Sequence, residues 1–201
     1  MLFCNYPITV DDIIALSNNT KTIPYNIDGI ISEFNISIIK KDRCRYIDEV
    51  IEVNFNDLDN KFAKIFMLDQ LPIGLERFIM ARALYFAIYD PNNIRTNTKM
   101  DIKSYFMFKN DLIAPDCIKI NNDANKFALD LLIPIKHLEK YTHQKYLGIV
   151  NIKELDNSKI KLLATYFDVT NEMITTQLYY YNREINSIKD INNDIRWLPN
   201  Y

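Results

Sequence analysis

The sequence predicts an α+β fold in which a small β-sheet packs on a buried central helix, followed by a small C-terminal helical subdomain. Three observations lead to this prediction. Two β-branched segments with alternating apolar residues occur early in the chain, at residues 36–40 and 50–55. A helical segment that is apolar on nearly all sides follows at 78–89, and residues 159–181 return to helical periodicity.

Local signals in the first part of the chain place its elements. Thr9 is followed by two aspartates, which predicts the N-cap of a first helix. Pro24 suits the first turn of a second helix, which Gly29 should soften or break. The two β-branched segments then form strands, whereas residues 61–68 are compatible with either strand or helix.

The most informative segment is PIGLERFIMARALYFAIYD, which begins at Pro72. Every residue of 78–89 except Arg82 is apolar or aromatic. A helix that is hydrophobic on all sides is buried, so this segment predicts the central helix of the core. The helix should end before Pro91, because the residue preceding a proline disfavours helical geometry.

The remaining segments are mainly helical. Residues 105–108 are compatible with a strand, and NNDANKFALDLLIP (121–134) predicts a capped amphipathic helix. The part that follows Thr142 is expected to be loop. Two short helices are predicted within 159–181, with Thr170 as the N-cap of the second.

The composition argues against several classes of partner. With 24 basic and 26 acidic residues the net charge is −2, so no overall field favours nucleic acid or an anionic membrane. The longest apolar run, 78–89, has twelve residues and is too short to span a bilayer. The first residues lack the basic segment of a signal peptide. We therefore expect a cytoplasmic protein with reduced thiols at Cys4, Cys44 and Cys117.

Four segments, in chain order, carry a resemblance to a known family. They are IEVNF (51–55), RFIMARALYF (77–86), DANKFALDLLIP (123–134) and LATYFDVTNEMITTQL (163–178). They resemble the ImmA/IrrE family of zinc metallopeptidases, whose members carry a strand ending in Asn, then helices like RFTLAHELGH and EANRFAAELLMP, then a segment like LAxxFxVSxxxxxxRL. The resemblance implies a zincin-like fold over residues 1–150, with a helix-turn-helix-like segment over 151–201.

The catalytic chemistry of that family is missing from the matching positions. In HExxH the two histidines bind zinc from one helix face and the glutamate activates water. The corresponding residues here are Arg82, Ala83 and Phe86, none of which can take over these roles. The family's acidic third ligand falls on Asp123, but a catalytic zinc site normally needs three protein ligands. We therefore predict no metal, no cofactor and no catalytic residue.

Several side chains are candidates for what replaces the metal site. A buried guanidinium needs a partner, so Arg82 is expected to form an ion pair with Asp123 in the former cleft. Alternatively, its stem packs in the core while its guanidinium reaches the surface. Tyr85 and Tyr89 either pack in the core or line a surviving cleft, and with Asn125 they are the candidate partner-binding residues.

The resemblance implies a catalytically inactive protein that acts by protein binding or regulation in a phage or other mobile element. Its partner would be a protein, such as a repressor-type transcription regulator. One alternative is a hydrolase with a site rebuilt from Asp123, Asp130, His137 or a cysteine, although His137 and His143 are expected to be ordinary polar residues at or near the surface. The other is a DNA-associated transcriptional regulator. Residues 151–201 hold six basic and seven acidic residues, so direct nucleic-acid binding is not expected.

Overall fold

The structure, a computed structural model, describes residues 9–17, 22–34, 36–42, 48–54, 62–89, 115–146 and 155–195. Within these ranges the chain forms, in order, α1 (Val10–Leu16), α2 (Ile27–Glu33), β1 (Ile36–Lys41), β2 (Asp48–Asn54), β3 (Phe62–Leu68), α3 (Ile73–Tyr89), α4 (Pro115–Leu132), α5 (Ile135–Tyr146), α6 (Asn157–Phe167) and α7 (Asn171–Ile195). This architecture confirms the predicted α+β class.

The first two helices begin at side-chain caps. Thr9 Oγ1 accepts from the backbone N–H of Asp12 at 3.2 Å, and the Asp12 carboxylate accepts from the Thr9 N–H at 2.8 Å. This capping box confirms the predicted start of α1. The second helix starts after Asn26 rather than at Pro24. The prediction that Gly29 breaks it was wrong, because Asn26 Oδ1 accepts from the N–H of Gly29 in the first turn, where no helical carbonyl is available.

The sheet has the strand order β1-β3-β2. β3 is parallel to β1, with Ile36 opposite Ala63 and Lys41 opposite Leu68, and antiparallel to β2. The segment that was compatible with strand or helix is therefore the central strand. Hydrogen bonding on both of its edges, which a local pattern does not reveal, determines this outcome.

Helix α3 is the central helix, as predicted. It begins where the Pro72 carbonyl accepts from the N–H groups of Leu75 and Glu76, each at 2.9 Å. It packs against α2, α4 and the strands β2 and β3, and these neighbours on several sides explain why it carries no polar face. Six apolar residues of α3 and α4 are buried in the core, namely Phe78, Ala81, Leu84, Phe127, Leu131 and Leu132.

The helices that follow are longer than predicted. α4 begins at Pro115, so residues 121–123 lie inside it and do not cap it. Residues 143–146, which were predicted to be loop, belong to α5, whereas 147–154 lie outside the described residues. Thr142 is accommodated there because its hydroxyl donates to the carbonyl of Leu138 at 2.8 Å. The possible strand at 105–108 lies outside the described residues.

The last two helices are joined by a short turn. α6 ends at Phe167, its C-cap Asp168 has left-handed backbone geometry (φ 54°, ψ 53°), and α7 begins at Asn171. Thr170 Oγ1 accepts from the N–H of Met173 at 3.4 Å, in line with its predicted capping role. α7 has 25 residues and is not short. No helix within the described ranges combines the length and apolarity needed to cross a bilayer.

Candidate functional site

The positions that would carry HExxH lie in the interior of the protein. Arg82 is 2% exposed, and Ala83 and Phe86 are also buried. The guanidinium carbon of Arg82 lies 5.3 Å from the centroid of the Phe86 ring. Because residues four apart share a helix face, the two positions meet, and a cation faces an aromatic ring where the resemblance implies two imidazoles.

The ion pair expected between Arg82 and Asp123 is not among those of the described residues. Asp123 is exposed, whereas Arg82 is buried and makes other interactions. A surface carboxylate keeps its hydration, and burying it beside Arg82 would incur a desolvation cost that the attraction need not offset. The alternative expectation, in which the guanidinium reaches the surface, is also wrong.

Three aromatic side chains form a cluster at the C-terminal end of α3. The ring centroids of Tyr85 and Tyr89 are 4.7 Å apart, and Phe127 of α4 lies 5.5 Å from Tyr85 and 5.9 Å from Tyr89. Tyr89 is 37% exposed and Tyr85 is half-buried. Burial raises the pKa of the Tyr89 phenol, and the nearby charge of Asp12 on α1 raises it further. Both predicted cleft tyrosines therefore reach one aromatic surface.

Asn125 and two candidates for a rebuilt hydrolase site, Asp130 and His137, have different surroundings. Asn125 is buried in α4. Asp130 accepts from Lys126 Nζ at 2.8 Å and from Gln177 Nε2 at 2.9 Å, which makes it a link between α4 and α7. His137 makes an edge contact with the ring of Tyr25, with centroids 6.0 Å apart. Where the chain is described, no three His, Cys, Asp or Glu residues form a group that could hold a metal ion.

Sequence reasoning missed Arg77, which is 7% exposed. Its Nη1 donates to the carbonyls of Phe167 and Asp168, each at 3.1 Å, and to the Asp168 carboxylate at 3.0 Å. Its Nη2 donates to the Tyr25 carbonyl at 3.1 Å. Burial lowers the pKa of Arg77, and the charge of Asp168 opposes that shift. This side chain therefore joins α3 to the end of α6 and to the segment before α2.

Gly74 marks the same junction. A Cβ atom at this position would lie 2.9 Å from the Cα atom of Val169, in the turn between α6 and α7. Glycine thus permits α3 and the turn between α6 and α7 to approach closely. The available signal was the rarity of the residue, since the chain has only three glycines and one of them opens the central helix.

A second link attaches α7 to α5. The Tyr181 hydroxyl donates to Glu139 Oε1. Burial, together with this carboxylate, raises the pKa of Tyr181 to about 12. The neutral phenol is therefore the form that the folded protein favours.

Comparisons with known proteins give little similarity. No family model matches the sequence, and no curated protein matches it significantly. Among solved structures, a Mycobacterium tuberculosis transcriptional regulator is similar with a TM-score of 0.44 at 17% sequence identity. The similarity covers 75% of this chain and 39% of the regulator's chain, so this chain spans well under half of that protein. A likeness at this level establishes neither a shared fold nor a shared function.

Proposed function

We propose that this chain is a catalytically inactive, metallopeptidase-like protein that binds and regulates a protein partner. The observation that carries the proposal is the buried guanidinium of Arg82, 5.3 Å from the Phe86 ring centroid. These residues hold the two positions where the ImmA/IrrE resemblance implies zinc-binding histidines. The zincin-like interpretation of the sheet and of helices α3 and α4 belongs to the same proposal.

Physical chemistry explains why this arrangement opposes metal-dependent hydrolysis. The guanidinium stays protonated in proteins and has no lone pair to offer, and the phenylalanine ring has no donor atom. A fixed cation in a low-dielectric interior also repels a divalent metal ion placed beside it. Ala83 stands at the glutamate position and cannot activate water.

A binding role is supported by the aromatic cluster on the same helix. Tyr85, Tyr89 and Phe127 bring three rings together, and Tyr89 is 37% exposed. Tyrosine and phenylalanine are enriched at protein interfaces, because they bury a large area at a small entropic cost. The resemblance favours a repressor-type transcription regulator of a phage or other mobile element as the partner.

The test is site-specific photo-crosslinking in a lysate of the source cells. A photoreactive phenylalanine analogue replaces Tyr89 in one variant and Tyr179 in the control, since Tyr179 is a 54% exposed tyrosine on α7. We expect a protein partner to be crosslinked from position 89, more than from position 179, and to be recovered at full length. Recovery of partner fragments would instead support the rebuilt hydrolase, and equal labelling from both positions would count against the proposal.

The helix-turn-helix arrangement favours a second candidate function, DNA-associated regulation. Asn171, Glu172 and Thr175 are exposed at the start of α7, where such a helix would meet a DNA groove. None of these three side chains is cationic, which argues against tight binding to phosphates. Titration with duplex DNA at several salt concentrations separates the candidates. A steep loss of affinity with rising salt would favour the hypothesis of DNA-associated regulation.

A further inference from the structure

The aromatic cluster is bordered by two carboxylates from different helices. Asp12 on α1 acts electrostatically on the Tyr89 phenol. Asp123 precedes Phe127 by one turn on α4, which places their Cβ atoms about 5–6 Å apart on one helix face. Both carboxylates are exposed, and α1 packs against α4. We call these five residues, Asp12, Tyr85, Tyr89, Asp123 and Phe127, the aromatic–acidic patch.

Three cations near the patch are described by the structure, of which two form ion pairs and one is buried. Lys126 lies three residues after Asp123 on α4, and its Nζ is bonded to Asp130 at 2.8 Å. Lys136 Nζ lies 3.5 Å from Asp11 Oδ2, so the opposite charges of this ion pair offset each other next to Asp12. Arg82 lies three residues before Tyr85 on α3, but its side chain is only 2% exposed, so it presents no charge to solvent. Among the residues that the structure describes, the charge presented to solvent at the patch is that of Asp12 and Asp123, which is negative.

The chemistry that complements such a surface is a cation with an apolar stem. A guanidinium or ammonium group is attracted to an aromatic face within about 6 Å, and a carboxylate at the edge of the ring adds a charge-assisted hydrogen bond. The Asp12 carboxylate accepts from Thr9, and this lowers its pKa, so it is ionised at neutral pH. A neutral or acidic side chain would gain neither interaction.

We propose that the aromatic–acidic patch binds an arginine or lysine side chain in a basic segment of a partner protein. This inference rests on the proposed function and specifies the chemistry of the partner at the same surface. Tyr89 supplies the exposed ring, Tyr85 and Phe127 hold it in place, and Asp12 and Asp123 supply the negative charge.

The experiment is a fluorescence anisotropy titration of the full chain with a short labelled peptide of alternating glycine and arginine. Peptides with citrulline or glutamate in place of arginine are the controls, since citrulline keeps the shape and loses the charge. We expect the arginine peptide to bind more tightly than the citrulline peptide, and the difference to shrink as salt rises. Equal binding of the two peptides would overturn the inference.

Variants assign the binding to the patch. Tyr89→Leu should weaken arginine-peptide binding by roughly 2- to 5-fold, the range expected for an exposed cation–π contact, whereas Tyr89→Phe should retain it. Tyr179→Leu, outside the patch, is the matched control. Asp123→Asn tests the charge at an exposed position where folding is not at stake, and it should also weaken binding. Binding that responds to none of these variants overturns the inference.

The two proposals can fail separately. If a partner is crosslinked from position 89 while arginine and citrulline peptides bind equally, the binding function stands and the inferred cation chemistry is wrong. If the peptides discriminate through the patch but no partner is crosslinked from position 89, the site for a cation stands and the proposed function is wrong.

Discussion

Arg77 joins α3 to the end of α6 and to the segment before α2. Its guanidinium donates to two carbonyls at the end of α6, to the Asp168 carboxylate and to the Tyr25 carbonyl. A buried acceptor that loses its donor typically costs about 1–3 kcal/mol. Loss of the Arg77 side chain should therefore destabilise the protein more than loss of an ordinary surface arginine.

Replacing Arg77 with methionine, which keeps most of the stem, tests this role. We expect the free energy of unfolding to fall by about 2–3 kcal/mol, less than the roughly 3–5 kcal/mol of a fully buried pair, because Asp168 can regain water. The Asp168 side chain is 38% exposed. Urea denaturation is the measurement, and Lys161→Met, at an exposed position, should change stability by under about 0.5 kcal/mol. Equal losses in the two variants would contradict the role.

Arg82 and Asp123 should now behave as independent residues. One is buried and the other exposed, and no ion pair joins them where the chain is described. In a double-mutant cycle of Arg82→Met and Asp123→Asn, the two changes in unfolding free energy should add to within about 0.5 kcal/mol. A coupling energy well above this value would restore the ion pair that the sequence suggested.

At the scale of elements, the link between α5 and α7 makes stability depend on pH. The pKa of Tyr181 is raised to about 12 in the folded protein, against about 10 in an unfolded chain. A raised pKa means that the neutral phenol stabilises the fold. That contribution is fully present below about pH 10 and is lost as the pH rises towards 12.

Urea denaturation of the parent and of Tyr181→Phe at several alkaline pH values measures this effect. The variant should be less stable at pH 8 by about 0.5–1.5 kcal/mol, the usual value of one hydrogen bond. Its stability should then fall less steeply above pH 10 than that of the parent. Tyr179→Phe, which lacks the Glu139 bond, should follow the parent curve. Parallel curves for parent and Tyr181→Phe would count against the link.

The sequence predicted the elements whose signals are local and missed those whose cause is distant. The cap at Thr9 and the buried α3 could be recognised because their determinants lie within a few residues. The strand character of β3 could not, since its partners on both edges decide it. Arg77 and Gly74 went unnoticed because their contacts lie about 90 residues away in the α6–α7 turn.

The candidate site divides in the same way. The contact between Tyr85 and Tyr89 follows from their four-residue spacing on one helix, which the sequence contains. The partner of Arg82 did not follow, because exposure at Asp123 depends on how α4 packs against the rest of the molecule. Periodicity assigns a residue to a helix face, but it does not say which neighbour covers that face.

At the scale of the whole molecule, the proposed function predicts that the protein binds no zinc and that its stability does not depend on a metal ion. The purified chain should carry far less than one zinc ion per molecule by elemental analysis, and chelator should leave its melting temperature unchanged. The physical reason is the fixed charge of Arg82 at the would-be ligand position. A bound ligand that favours the folded state would raise the melting temperature, so stoichiometric zinc together with a chelator-induced fall would contradict the proposal.

The strand order β1-β3-β2 also has a consequence for how the chain reaches its fold. β3 lies between β1 and β2 in the sheet, although it is the last of the three strands in the sequence. β1 pairs with β3, so β1 cannot enter the sheet before β3 has been synthesised. Such a non-local closure is slow, because the loop entropy is lost before the pairing is gained. During synthesis at the ribosome, β1 therefore has no sheet partner until residue 68 has emerged. Since α3 starts at Ile73, sheet closure and docking of the central helix can then follow as a single late event.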